Sequence, residues 1–113
     1  METGQYENTV IIFMSDNGGR FIKKASNADN PNFPLRGFKN TIYEGGTRVP
    51  GFIHSPLLYK SGYVSAAMVH VTDWFPTILR LAGAPEADVK ELDIDGIDQY
   101  ETFFAYDATG DER

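Results

Sequence analysis

Two short stretches carry side chains whose types and spacing could do chemistry. In FMSDNGGR, residues 13–20, an apolar run stops and a carboxylate and an amide follow, Asp16 and Asn17, with Gly18 and Gly19 behind them. Both side chains present hard oxygens, which suit calcium or magnesium rather than zinc or copper. The glycines let the backbone turn away sharply. In PLRGFK, residues 34–39, Arg36 and Lys39 could hold an anion, the guanidinium as a planar fork and the ammonium as a point charge on a sulfate or phosphate oxygen. Each stretch also has an ordinary reading. Asp-Asn-Gly is a strong hairpin signal, and an Arg/Lys pair in a loop is commonly just solvated. Against the hairpin, residues 20–34 are loop-like, so no matching strand follows at hairpin distance. In open α/β sheets, moreover, ligands bind beyond the carboxyl ends of strands, where Asp16 and Asn17 fall. Two oxygens do not make a cage, so further ligands have to come from elsewhere.

The remaining polar candidates read as structural. His54 and His70 are the only histidines and have no carboxylate at a convincing ligand spacing, which favours packed or surface roles. Glu44, in YEGGTRVP, can pair with Arg48, and Asp73 sits where a helix begins. Glu91, Asp93, Asp95 and Gly96 match positions one, three, five and six of an EF-hand loop, but Thr102 stands where the bidentate glutamate belongs. An EF-hand is therefore rejected.

These residues need elements to hold them. Residues 9–14, TVIIFM, are apolar on consecutive positions, the pattern of a strand covered on both faces in a parallel sheet. RFIKKASNADNPNFP, residues 20–34, reads as a loop. Val49 to His54 reads as a second strand, with Pro50 at its start where a missing donor is tolerated. The spacing predicts a helix over 73–82, with Thr72 as N-cap, Pro76 in the first turn and Gly83 as the stop. Its apolar face would be Phe75, Ile78, Leu79 and Ala82. A short helix is expected near 86–91, then an acidic, fraying tail over 101–113. A doubly covered strand needs a layer on each side, yet only one convincing helix is present. The chain reads as a slice of a larger α/β domain, incomplete by itself.

The bulk properties narrow the function. At 113 residues the chain is at most one domain, able to bury about two-thirds of its unfolded surface. Its formal charge of −6 and lack of a basic stripe argue against a nucleic-acid partner. With no cysteine there can be no disulfide, thiolate metal site or cysteine nucleophile. The apolar run Val10 to Met14 is too short to span a bilayer, and METGQYEN has neither the basic nor the hydrophobic region of a signal peptide.

Taken in order, NTVIIFMSDNGG (8–19), PLRGFKNTIYEGGTRVPGFIHSPLL (34–58), MVHVTDWFPTILRLAG (68–83) and the looser LDIDGIDQY (92–100) resemble the sulfatase family, of the arylsulfatase B, I and J type. The resemblance makes residues 8–100 a segment of a sulfatase catalytic domain. It implies an alkaline-phosphatase-like α/β fold, a large mixed sheet sandwiched by helices, and hydrolysis of sulfated sugars or aryl sulfates with bound calcium (Ca2+). By position, Asp16 and Asn17 look like two metal ligands and Lys39 like the catalytic lysine that contacts the substrate sulfate. Asp16 could also orient or activate the nucleophile. Glu44, Gly45, Gly46, Asp73 and Trp74 look like scaffold positions. A lysosomal or secreted location is likewise implied by resemblance alone.

The chain departs from the family pattern in one respect that matters. Sulfatases use a formylglycine made from a cysteine, or in some bacteria a serine, within a C-x-P-S-R type motif. This chain has no cysteine, and none of its serines has that context. The N-terminal pair of aspartate ligands and the family's other lysine and histidine site residues are also missing. The resemblance therefore implies a segment inactive alone, whose N-terminal complement lies elsewhere. Two alternatives stay open: a non-catalytic truncated paralogue that binds a partner or an anionic glycan, and a fragment that does not fold stably.

Overall fold

The computed structural model describes residues 3–20 and 30–104 of the chain. These fall into two compact units, Met1–Ser55 and Pro56–Arg113. Of the acidic, fraying tail expected over 101–113 the residues beyond Phe104 lie outside the described residues, as do residues 21–29 of the loop expected over 20–34.

In the first unit, β1 (Ile11–Met14) pairs antiparallel with β2 (Gly51–His54), Ile11 opposite His54 and Met14 opposite Gly51. This corrects the parallel, doubly covered strand. Ile11 and Phe13 are exposed, and Ile12 and Met14 only half-buried. An apolar run puts apolar side chains on both faces of any strand, so it specifies neither the direction of the partner nor what covers each face. On one face Phe13 stacks on Phe52, ring centroids 5.2 Å apart. The ladder continues past β1, with the Ser15 N–H donating to the Pro50 carbonyl at 3.1 Å. Pro50 thus serves as an acceptor where its missing N–H costs nothing. A Gln5–Asn8 3-10 turn precedes β1, and its Tyr6 hydroxyl meets Nε2 of His54 at 3.1 Å.

The strands are joined through residues 15–50, so Asp16-Asn17-Gly18-Gly19 does not close a hairpin. Within this connection lies α1 (Glu44–Thr47), whose Glu44 pairs with Arg48 at 3.2 Å, as the sequence suggests.

The second unit is built around α2 (Trp74–Leu81), with α3 (Glu86–Lys90) and α4 (Tyr100–Phe103). A Val71–Asp73 3-10 turn leads into α2, and its cap is His70 rather than Thr72. The reason is geometric. One Asp73 carboxylate oxygen accepts the His70 N–H at 2.9 Å, closing a capping box from three residues downstream. The other accepts the Ile97 N–H at 2.9 Å. The EF-hand-like segment therefore lies as a strap against this turn. Gly96 has to be bare, because a Cβ there would fall 2.2 Å from the Thr72 carbonyl oxygen.

The buried face of α2 differs from the expected one. Thr77 is fully buried with Pro76, whereas Phe75 and Ile78 are 57% and 48% exposed. Residues 97–103 supply the cover, and they bring polar as well as apolar partners. The Thr77 hydroxyl donates to the Asp73 carbonyl at 2.6 Å and accepts the Gln99 N–H at 2.9 Å. Arg80 holds Asp98 at 3.1 Å, with Glu86 and Glu101 at 3.6 and 3.5 Å. Trp74 stacks on buried Phe103 at 6.0 Å. Among the described residues no helix is long and apolar enough to cross a membrane.

Candidate functional site

The strand end and the Arg36/Lys39 stretch meet within the first unit through backbone hydrogen bonds. The Gly18 N–H donates to the Gly46 carbonyl at 3.0 Å, and the Gly45 N–H to the Arg36 carbonyl at 2.7 Å. The Lys39 N–H donates to the Gly19 carbonyl at 3.0 Å. Such close approach requires a bare Cα at Gly18, where a Cβ would fall 1.8 Å from the Gly45 carbonyl oxygen.

Asn32 completes the junction. Its side-chain oxygen accepts the Gly19 N–H at 2.6 Å, while its amide nitrogen donates to the carbonyls of Gly19 and Gly37 at 3.0 and 3.1 Å. One planar amide thus satisfies both polar groups of Gly19, as a neighbouring strand would. Sequence reading placed this residue in a loop and gave it no role. Its only local signal is a cluster of turn formers, NPNFP, which marks a loop without saying what the loop grips.

The result is an open pocket of about 440 Å³, lined in part by Ser15, Asn17, Arg20, Asn32, Lys39 and Arg48. Asn17 and Lys39 line it together, while exposed Asp16 lies beside it without belonging to its wall. Arg36 is turned elsewhere, its guanidinium 4.0 Å above the Tyr43 ring. Arg20 and Arg48 are cationic members of the wall that sequence reading did not propose. In the sequence Arg48 signals only a pair with Glu44, and Arg20 only the start of a loop. His54, His70, Glu44 and Asp73 occupy the structural positions already described.

The donor atoms suit hard ligands. The Asn17 amide nitrogen donates to the Gly18 carbonyl at 2.9 Å, and the Ser15 hydroxyl to the Asn17 carbonyl at 2.8 Å. The Asn17 side-chain oxygen and the Asp16 carboxylate have no donor among the described residues, nor has Lys39 an ion pair there. A carboxylate and an amide oxygen on consecutive residues are of the type that forms part of the shell of a hard dication. They do not complete one: among the described residues no group of three or more His, Cys, Asp or Glu could hold a metal. Of the three cationic residues in the wall Arg48 is already paired with Glu44, so Arg20 and Lys39 are the ones that favour an anion there.

Comparison with known proteins gives one consistent relationship. The family described as Sulfatase matches residues 1–84. Arylsulfatase J of Mus musculus is 47% identical over 100 residues, 88% of this chain and 15% of the relative. A protein named Sulfatase from Formosa agariphila is 42% identical over 93 residues, 80% of this chain and 16% of the relative. N-acetylgalactosamine-6-sulfatase of Canis lupus familiaris is 41% identical over 93 residues, 81% of this chain and 17% of the relative. The chain therefore spans about one-sixth of the length of these relatives.

Proposed function

Because the chain belongs to the sulfatase family, we propose that it is a segment of an arylsulfatase-type sulfuric-ester hydrolase, contributing two cation ligands and a sulfate-contacting lysine. Asp16 and Asn17 would hold calcium through the carboxylate and the amide oxygen, with the remaining ligands and the nucleophile supplied by polypeptide outside this chain. Bound calcium would supply positive charge against the sulfate oxygens and the departing oxygen. Lys39 adds a second positive charge on the same anion and orients it. Asp16 would also help orient or activate a nucleophile supplied by polypeptide outside this chain. The substrate class is a sulfated sugar or an aryl sulfate, and the family relationship favours a lysosomal or secreted setting.

The single observation that carries this reading is the shared pocket of Asn17 and Lys39, residues from separate stretches drawn together by the Lys39 to Gly19 hydrogen bond. Neither would be placed by a hairpin. The absence of any cysteine among the 113 residues supports inactivity of the chain alone. Purified chain incubated with an aryl sulfate is expected to release no sulfate. Release that is abolished by Asp16→Ala would refute the proposed inactivity.

A binding-module reading rests on a different feature, the wall containing Arg20, Lys39 and Arg48 and, among the described residues, no carboxylate. It predicts capture of sulfated glycan by the chain without calcium, and calcium-independent retention on a heparin matrix would favour it.

A further inference from the structure

Asn17 is followed by Gly18, the sequence in which a backbone nitrogen meets least hindrance in attacking the preceding side-chain amide. In that reaction the Gly18 nitrogen loses its proton to solvent and bonds to Cγ of Asn17. The Cγ–Nδ2 bond breaks and ammonia leaves. Water then opens the resulting succinimide to aspartate or isoaspartate, so the balance is one water consumed and one ammonia released.

We propose that Asn17–Gly18 is a latent deamidation site that the native fold keeps silent and that local opening of the Gly18–Gly46 contact exposes. The Gly18 N–H is directed at the Gly46 carbonyl at 3.0 Å, so its proton is engaged. Gly18 is buried, and the Gly45 carbonyl oxygen stands 1.8 Å from where a Cβ would be, so the backbone is packed closely against its neighbour and moving the nitrogen toward Cγ requires that contact to open. The leaving nitrogen is also engaged, donating to the Gly18 carbonyl at 2.9 Å. The bare Cα that makes the sequence reactive is what lets Gly45 close over it. This protection rests on backbone geometry and stands whether or not the pocket takes sulfate.

The product would change the site. An aspartate adds a negative charge next to Asp16. An isoaspartate adds a methylene to the main chain, moving Gly18 off Gly46 and Gly19 off Asn32 and Lys39. Conversion is therefore expected to disconnect Lys39 from the strand end.

The test is peptide mapping by mass spectrometry of the whole chain held at neutral pH, in native buffer and in guanidinium chloride. Asn40, followed by threonine, is the internal slow reference. Conversion at Asn17 is expected to be at least about tenfold slower in native buffer than in denaturant, with amide exchange at Gly18 slowed in parallel. Equal rates in the two conditions would overturn the proposal. Gly46→Ala, whose Cβ would fall 2.3 Å from the Thr41 carbonyl oxygen, should raise the native rate toward the denatured one. An unchanged rate in that variant would also overturn it.

Discussion

The backbone N–H of Lys39 donates to the carbonyl of Gly19 at 3.0 Å. That bond ties an anion-binding candidate to the first residues beyond β1, and Lys39 lines the same pocket as Asn17. Main-chain contacts set the position of the lysine. Its exposed side chain remains available to a ligand.

Asn32 should matter to this arrangement as much as either ligand candidate. Asn32→Ala removes three hydrogen bonds to Gly19 and Gly37 and leaves their backbone groups without those partners. The expected loss is about 2–3 kcal/mol, read as a lower denaturant midpoint. Asn32→Asp should be no better, because it sets a carboxylate oxygen against two carbonyls.

Gly18→Ala tests the closeness of the same junction. The added methyl meets the Gly45 carbonyl oxygen, which is backbone and cannot step aside as a flexible side chain would. A destabilisation of about 3 kcal/mol is expected by thermal or denaturant unfolding. Gly4→Ala is a useful contrast, since no atom lies within 4 Å of its added Cβ and only the strain of its positive φ of 66° remains.

In the second unit the buried hydroxyl of Thr77 is the sharpest target. Thr77→Val keeps the shape but loses the donor to Asp73 and the acceptor for Gln99. The cost should be about 2 kcal/mol, most of it from the stranded Gln99 N–H. Thr77→Ser, which retains the hydroxyl, should recover part of that loss.

Asp73 gives the unit an acid limit. Burial alone would raise its pKa, but N–H donation from Ile97 and His70, a Gln99 side-chain bond and the nearby His70 charge together hold it below the ordinary carboxylate value. A folded-state pKa below the unfolded one means that the stabilisation is fully present above about pH 4 and is lost as pH falls through the lowered folded value. Denaturant midpoints should therefore fall as the pH is lowered below about 4 in the parent chain and fall less in Asp73→Asn.

What was legible in the sequence was local chemistry. The helix start at Asp73, the Glu44–Arg48 pair and the second strand behind Pro50 all depend on neighbours a few residues away. The direction of β1 was not legible, because its partner Gly51–His54 lies beyond a long connection and both of its faces are apolar. The face of α2 was misread for a related reason. Spacing locates an apolar stripe, whereas burial depends on what covers it, and residues 97–103 cover Pro76 and Thr77 instead of Phe75 and Ile78. α4 was hidden where the chain turns acidic, and it is anchored by Phe103 stacked on Trp74. At the site, Asp16, Asn17 and Lys39 were recognisable by type. Asn32 and Arg48 gain their positions only once the connection closes, and no periodicity encodes that.

The most direct measurement is an amide and side-chain NMR titration of the whole chain with sodium sulfate, at ionic strength held constant with chloride and repeated with calcium present. Shifts are expected to be confined to Asn17, Gly19, Lys39 and their pocket neighbours, with a dissociation constant of ~1 mM or weaker for half a site. Lys39→Ala should abolish the sulfate-dependent shifts, and calcium should move Asp16 and Asn17. Shifts that bypass Asn17 and Lys39, or that persist unchanged in Lys39→Ala, would contradict the proposed site.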